Sequence, residues 1–92
     1  MTGISAQVSV YPLGQVQLAP VIKDVLDVFR EHDVEVFPGS MSSLISGGDT
    51  AVFAALQAAF QRATNQGQVV MVVTFSNACP LPEPETGSQS NS

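Results

Sequence analysis

Gln68–Pro80 reads QVVMVVTFSNACP, and the interpretation of this stretch decides the fold. Five of its first six residues are apolar, and four of those are valines. A short continuous run of β-branched residues favours a strand, and one apolar on both faces suits an interior position better than an edge. Thr74, Ser76, Asn77 and Cys79 then follow, and Pro80 stops the strand. Polar groups gathered at one end of an apolar strand suit the wall of a small-molecule pocket.

The segment before it changes period. In Thr50–Asn65, residues Val52, Phe53, Leu56, Ala59, Phe60 and Ala63 form a wide apolar stripe at helical spacing. Six alanines (51, 54, 55, 58, 59 and 63) favour the helix and allow close approach to a neighbour. Asn65-Gln66-Gly67 ends this helix; Gly47-Gly48 breaks the chain ahead of it, with Asp49 a candidate N-cap. Further back, Val34–Gly39 and Met41–Ser46 read as two short strands of a hairpin turning at Pro38-Gly39-Ser40. Gln17–His32 is a second helical pattern, through Leu18, Val21, Ile22, Val25, Leu26 and Phe29. Pro20 fits only its first turn, which fixes the start near Leu18. Ile4–Pro12 alternates, with Ile4, Ala6, Val8 and Val10 on one side and Ser5, Gln7, Ser9 and Tyr11 on the other.

The order β-α-β-β-α-β specifies an α+β, ferredoxin-like sandwich: a four-stranded antiparallel sheet with two helices on one face. In that fold the first and third strands are central. The apolar Val8 set is assigned to the helices. Ser9, Tyr11, Thr74 and Ser76 then share the free face with Val70 and Val72, a mixture expected to pack against another subunit. Residues 1–80 form the domain. Leu81–Ser92, rich in proline and serine and carrying Glu83 and Glu85, is expected to be a disordered acidic tail.

Composition narrows the function classes. The 92 residues suffice for one domain, and charged residues make up 12%, about half the usual share. The net charge is −5 with only Lys23, Arg30 and Arg62 basic, which excludes a nucleic-acid-binding stripe. The single cysteine makes no internal disulfide and fits a reducing cytoplasm. The N-terminus carries no signal-peptide pattern, and no apolar run reaches the roughly 20 residues of a membrane span. No metal-ligand cluster is present.

Four pieces, in order and in one register over roughly residues 5–80, resemble the YkoF-like family of thiamine-binding proteins. They are Ser9-Val10-Tyr11-Pro12; Met41-Ser42-Ser43-Leu44-Ile45-Ser46-Gly47; Val52-Phe53 with Ala63-Thr64-Asn65; and Val70-Met71 leading to Thr74-Phe75-Ser76 and Cys79-Pro80. The sequence departs from the family at Ser43, where threonine is common, and at Asn77-Ala78. The resemblance implies a ferredoxin-like fold, assembly through sheet faces as a dimer or tetramer, and a pocket for thiamine or its hydroxymethylpyrimidine precursor. It implies a soluble, non-catalytic binder in vitamin B1 salvage or transport, with no cofactor beyond that ligand. The alternative is a homo-oligomeric structural or regulatory module without a small-molecule ligand.

The ligand-binding candidates are Ser9, Tyr11, Ser42, Ser43, Thr74, Ser76, Asn77 and Cys79. Tyr11 is suited to stack on or hydrogen-bond a flat heterocycle, and equally to fill an interface. Ser42 and Ser43 are adjacent, so in a strand at most one points into a given pocket. Thr74, Ser76 and Asn77 offer donors and acceptors to a pyrimidine, or satisfy a turn at a strand end. Cys79 lacks a neighbouring base and reads as a buried small hydrophobe on a pocket wall rather than a nucleophile. His32 reads as a surface residue supporting a helix C-terminus. Gly47-Gly48-Asp49 lacks the lysine and glycine spacing of a phosphate loop and reads as a tight turn. The shortage of Lys and Arg also argues against a pyrophosphate ligand.

Overall fold

The computed structural model describes residues 3–14, 18–39 and 42–78. Its elements are β1 (Gly3–Pro12), α1 (Ala19–Arg30), β2 (Val34–Pro38), β3 (Ser43–Gly48), α2 (Asp49–Thr64) and β4 (Val69–Ser76). One antiparallel sheet has the strand order β2-β3-β1-β4, the ferredoxin-like arrangement. β1 is central: Ala6 pairs with Ile45 on one side and Phe75 on the other, and Tyr11 pairs with Val70.

The alternation in β1 decides which face meets the helices. Ala6 and Val8 are buried with Ile45 of β3, and both helices close over them. α1 contributes Val21, Val25, Val28 and Phe29; α2 contributes Val52, Ala55, Leu56, Ala59 and Ala63. Three of the α2 residues are alanines, so the helix backbone sits close to its neighbours. The other face is open: Val70 and Val72 are about half exposed, as is Tyr11. Ser5 keeps its place on the open side by register, between Ser46 and Ser76, yet is only 4% exposed.

The structure corrects four expectations. β4 is an edge strand, as a sheet with the first and third strands central requires, and not the interior strand that its valine run by itself suggested. Its neighbour on one side is β1, and the outer residues of its apolar run are left uncovered by the chain itself. Gly47 and Gly48 continue β3 rather than breaking it, pairing with Ile4 and Gly3 of β1. A Cβ at Gly47 would stand 3.2 Å from the Asp33 carbonyl oxygen and 3.3 Å from Val34 Cγ1, a tight fit that the absence of a side chain relieves. Gly48, with φ −66° and ψ 151°, is the N-cap of α2, and Asp49 is its first residue. The Asp49 carboxylate accepts the Thr50 N–H at 2.7 Å, which spends it locally while keeping negative charge in the first turn. Finally, α1 stops at Arg30 and Glu31 caps it, its N–H reaching the Asp27 and Val28 carbonyls at 3.1 Å.

The expected start of the second hairpin strand at Met41 and the expected tail at 81–92 lie outside the described residues. His32 does support the end of α1, its ring Nδ1 lying 2.9 Å from the Val28 carbonyl that accepts its proton. At the other helix end, Gly67 takes a φ of 137°, a turn that L side chains rarely adopt.

Candidate functional site

A cavity of about 260 Å³ lies between α1 and the end of the sheet where β1 stops. It exists because the chain places large apolar side chains on α1 above a floor of smaller ones. The floor is Val8 and Val10 of β1 with Ser43 of β3; the roof is Leu18, Ile22, Leu26 and Phe29. Its rim is formed by Tyr11, Gly39 and Ser42. Among the described lining residues none is charged, and the polar groups are three hydroxyls.

Those three residues come to the cavity by different routes. Tyr11, the penultimate residue of β1 and 49% exposed, belongs by register to the open face and borders the cavity where the strand ends. Ser43 pairs with Val8 and with Pro38, which puts it on the helix-facing side of the sheet. Ser42 precedes β3, and both serines border the same cavity, Ser43 from the helix-facing side of the sheet. The Ser42 hydroxyl accepts a 3.1 Å hydrogen bond from the side-chain amide of Gln7, which stands on the open-face side of β1.

The remaining candidates lie elsewhere. Ser9 and Thr74 are on the open sheet face, paired with Val72 and Gln7. Ser76 pairs with Ser5, six residues along β1 from Tyr11, which separates the two by about 20 Å at strand rise. Ser76 and Asn77 line a second, more open cleft of about 500 Å³ with Ile4, Asp49, Phe53 and Phe75. There the Ser76 hydroxyl accepts the Ala78 N–H at 3.1 Å, the turn-satisfying role. Cys79 lies outside the described residues. One chain therefore brings Tyr11, Ser42 and Ser43 together, and Ser76 with Asn77 at the opposite end of the sheet.

Sequence reading missed the cavity roof. Leu18, Ile22, Leu26 and Phe29 were legible as a helical stripe, but a stripe over a gap and a stripe over a filled core look alike in sequence. It also missed the contact between Phe53 and Phe75, whose rings stack with centroids 4.8 Å apart at 29°. Among the described residues no group of three or more His, Cys, Asp and Glu side chains is placed to hold a metal. No helix among them is long and apolar enough to cross a membrane.

Comparison with known proteins adds to this geometry. The model of the YKOF-related family matches residues 3–82. A search of curated proteins finds no match. Among solved structures, a hypothetical protein of Methanocaldococcus jannascii is similar at a TM-score of 0.78 and 22% identity, covering 100% of this chain and 89% of the other. A Streptococcus pneumoniae protein is similar at 0.75 and 19% identity, covering 82% and 86%. A Thermotoga maritima protein provisionally assigned to thiamine biosynthesis or salvage is similar at 0.72 and 11% identity, covering 79% and 81%. At these identities the structural likeness speaks for the fold.

Proposed function

The chain belongs to the YKOF-related family, and from that premise we propose that it binds thiamine or its hydroxymethylpyrimidine precursor, without catalysis, in the cavity beneath α1. The observation that carries this reading is the lining: an uncharged, mostly apolar slot of about 260 Å³ bordered by three hydroxyl-bearing residues. Ligand pockets combine an apolar wall with a few placed polar groups, and this volume lies just below their usual range of about 300–1,000 Å³, which favours a small ligand. Such a slot suits a single aromatic ring with hydrogen-bonding substituents. Val10, Ile22 and Phe29 would hold the ring faces, while Tyr11, Ser42 and Ser43 exchange hydrogen bonds with ring nitrogens or an amino group. A pyrophosphate would find no described lysine or arginine in the lining. Placement in vitamin B1 salvage or transport, in a cytoplasmic setting, is part of the same proposal.

The test is calorimetric titration with hydroxymethylpyrimidine, thiamine and thiamine pyrophosphate. Heat is expected from the first two and little from the third. Tyr11→Phe or Ser43→Ala should weaken binding by roughly three- to tenfold, the worth of one hydrogen bond. Absence of heat and of any thermal shift at millimolar ligand would sink the reading. A second reading, a homo-oligomeric structural or regulatory module associating through sheet faces, is favoured by the open face on which Tyr11, Phe37, Val70 and Val72 stand 40–51% exposed.

A further inference from the structure

The second cleft, at the other end of the sheet from the cavity beneath α1, carries a different chemistry. It lies between the first turns of α2 and the last residues of β4, and Ile4 of β1 also lines it. Asp49 and Phe53 are one helical turn apart, so the carboxylate and the ring share one flank of α2. Phe53 stacks on Phe75 of β4, with ring centroids 4.8 Å apart, yet the two residues remain 54 and 45% exposed. A half-open aromatic wall thus stands beside a carboxylate.

That carboxylate has no cationic partner among the described residues. The ion pairs there are Lys23–Asp27 and Arg62–Glu31, and neither involves Asp49. Arg62 stands in the last turn of α2, about 20 Å along the helix from Asp49. No lysine or arginine is among the described residues that line the cleft. Asp49 Oδ1 accepts the Thr50 N–H at 2.7 Å and the Thr50 hydroxyl at 3.5 Å, which leaves Oδ2 unspent. The N-terminal end of α2 opposes a cation with roughly half a positive charge, and the full negative charge of Asp49 outweighs it.

Two neutral polar groups complete the lining. The Ser76 hydroxyl oxygen accepts the Ala78 N–H at 3.1 Å, so its own proton is available to an acceptor. Asn77 adds a side-chain amide. A hard metal ion would need several oxygen ligands, and among the described residues no group of three or more His, Cys, Asp and Glu side chains is placed to hold one. One carboxylate against two rings instead complements a single soft positive charge on an apolar body.

We propose that this cleft binds a small organic monocation, a methylated ammonium with a short polar arm. Its head rests on the Phe53 and Phe75 rings beside the Asp49 carboxylate, and its arm reaches Ser76 and Asn77. The rings attract the head through their quadrupole, their methyl contacts bury apolar surface, and the carboxylate supplies the opposite charge. The cleft, about 500 Å³ and open to solvent, has room for such a molecule. The inference does not depend on the ligand reading above, since it uses other residues at the opposite end of the sheet.

The experiment is NMR titration of the full chain with choline, and separately with its uncharged analogue in which a quaternary carbon replaces the nitrogen. Choline should shift the Phe53, Phe75 and Ser76 signals saturably at millimolar concentration and leave Val10 and Ile22, in the other cavity, unmoved. The uncharged analogue should bind several-fold more weakly. Asp49→Asn keeps an acceptor for the Thr50 N–H and should weaken choline by roughly threefold, as an exposed charge pair does. Phe53→Leu keeps an apolar side chain and should weaken it by about two- to fivefold. Equal binding of the uncharged analogue overturns the proposal, as does an unchanged affinity in Asp49→Asn. So do shifts that never saturate, or that fall on Val10 and Ile22 instead.

Discussion

Gly39 shows how much a single residue holds at this site. It lines the cavity mouth, and a Cβ built on it would lie 2.5 Å from the Ser42 carbonyl oxygen. That oxygen is backbone, so relief requires the β2–β3 connection to spread. Gly39→Ala should therefore destabilise by about 1–3 kcal/mol, the usual cost of overpacking, and weaken ligand binding by moving Ser42. Urea denaturation and titration of the same variant check both halves; an unchanged midpoint would show that the connection yields freely. From sequence, Gly39 was legible only as part of a Pro-Gly-Ser turn. The clash that requires glycine comes from a residue three positions on, and depends on how the turn closes.

At the scale of elements, α1 separates its two jobs by face. Its inner stripe roofs the cavity and fills the core, while Lys23 and Asp27 on the outside form a 2.9 Å bridge one turn apart. Their shared hydrogen bond is the main cause that raises Lys23 above 10.5 and lowers Asp27 below 3.8. The aspartate's contribution is present above pH 3.8 and is lost as pH falls through its lowered value. The lysine's is present below pH 10.5 and is lost as pH rises through its raised value. Both side chains are solvated, so the effect is small and screened by salt. Asp27→Asn should thus show a slight, constant loss in melting temperature from about pH 5 to pH 9, vanishing in strong acid. A loss that grew toward neutral pH would contradict this assignment. β4 teaches the complementary lesson: its valine run was legible as a strand apolar on both faces, but an interior position was only one way to satisfy it. An edge strand with its outer residues left uncovered is another.

For the whole molecule, Phe29 ties stability to the candidate site. It is 0% exposed, sits in the core and also closes the cavity. Phe29→Ala should cost about 3–5 kcal/mol, a large share of the stability of a domain this small. Phe29→Leu should cost about 1.5 kcal/mol or less, retain the fold and enlarge the cavity, so that thermal melting separates lost packing from lost binding. Element order, the ferredoxin-like fold, the split of β1 into inner and outer sets and most of the core stripe of α2 were determined by the sequence itself, though Phe53 and Phe60 of that stripe stand exposed and Ala55 is buried instead. Each is written in local periodicity, and side chains two or three to four residues apart share a face whatever the rest of the chain does. The gap beneath α1, the gathering of Tyr11 with Ser42 and Ser43, the distant placement of Ser76 and the open β4 edge were decided by tertiary structure alone. They depend on how far apart two packed layers stand and which strand comes last across the sheet, distances between elements that no local pattern encodes.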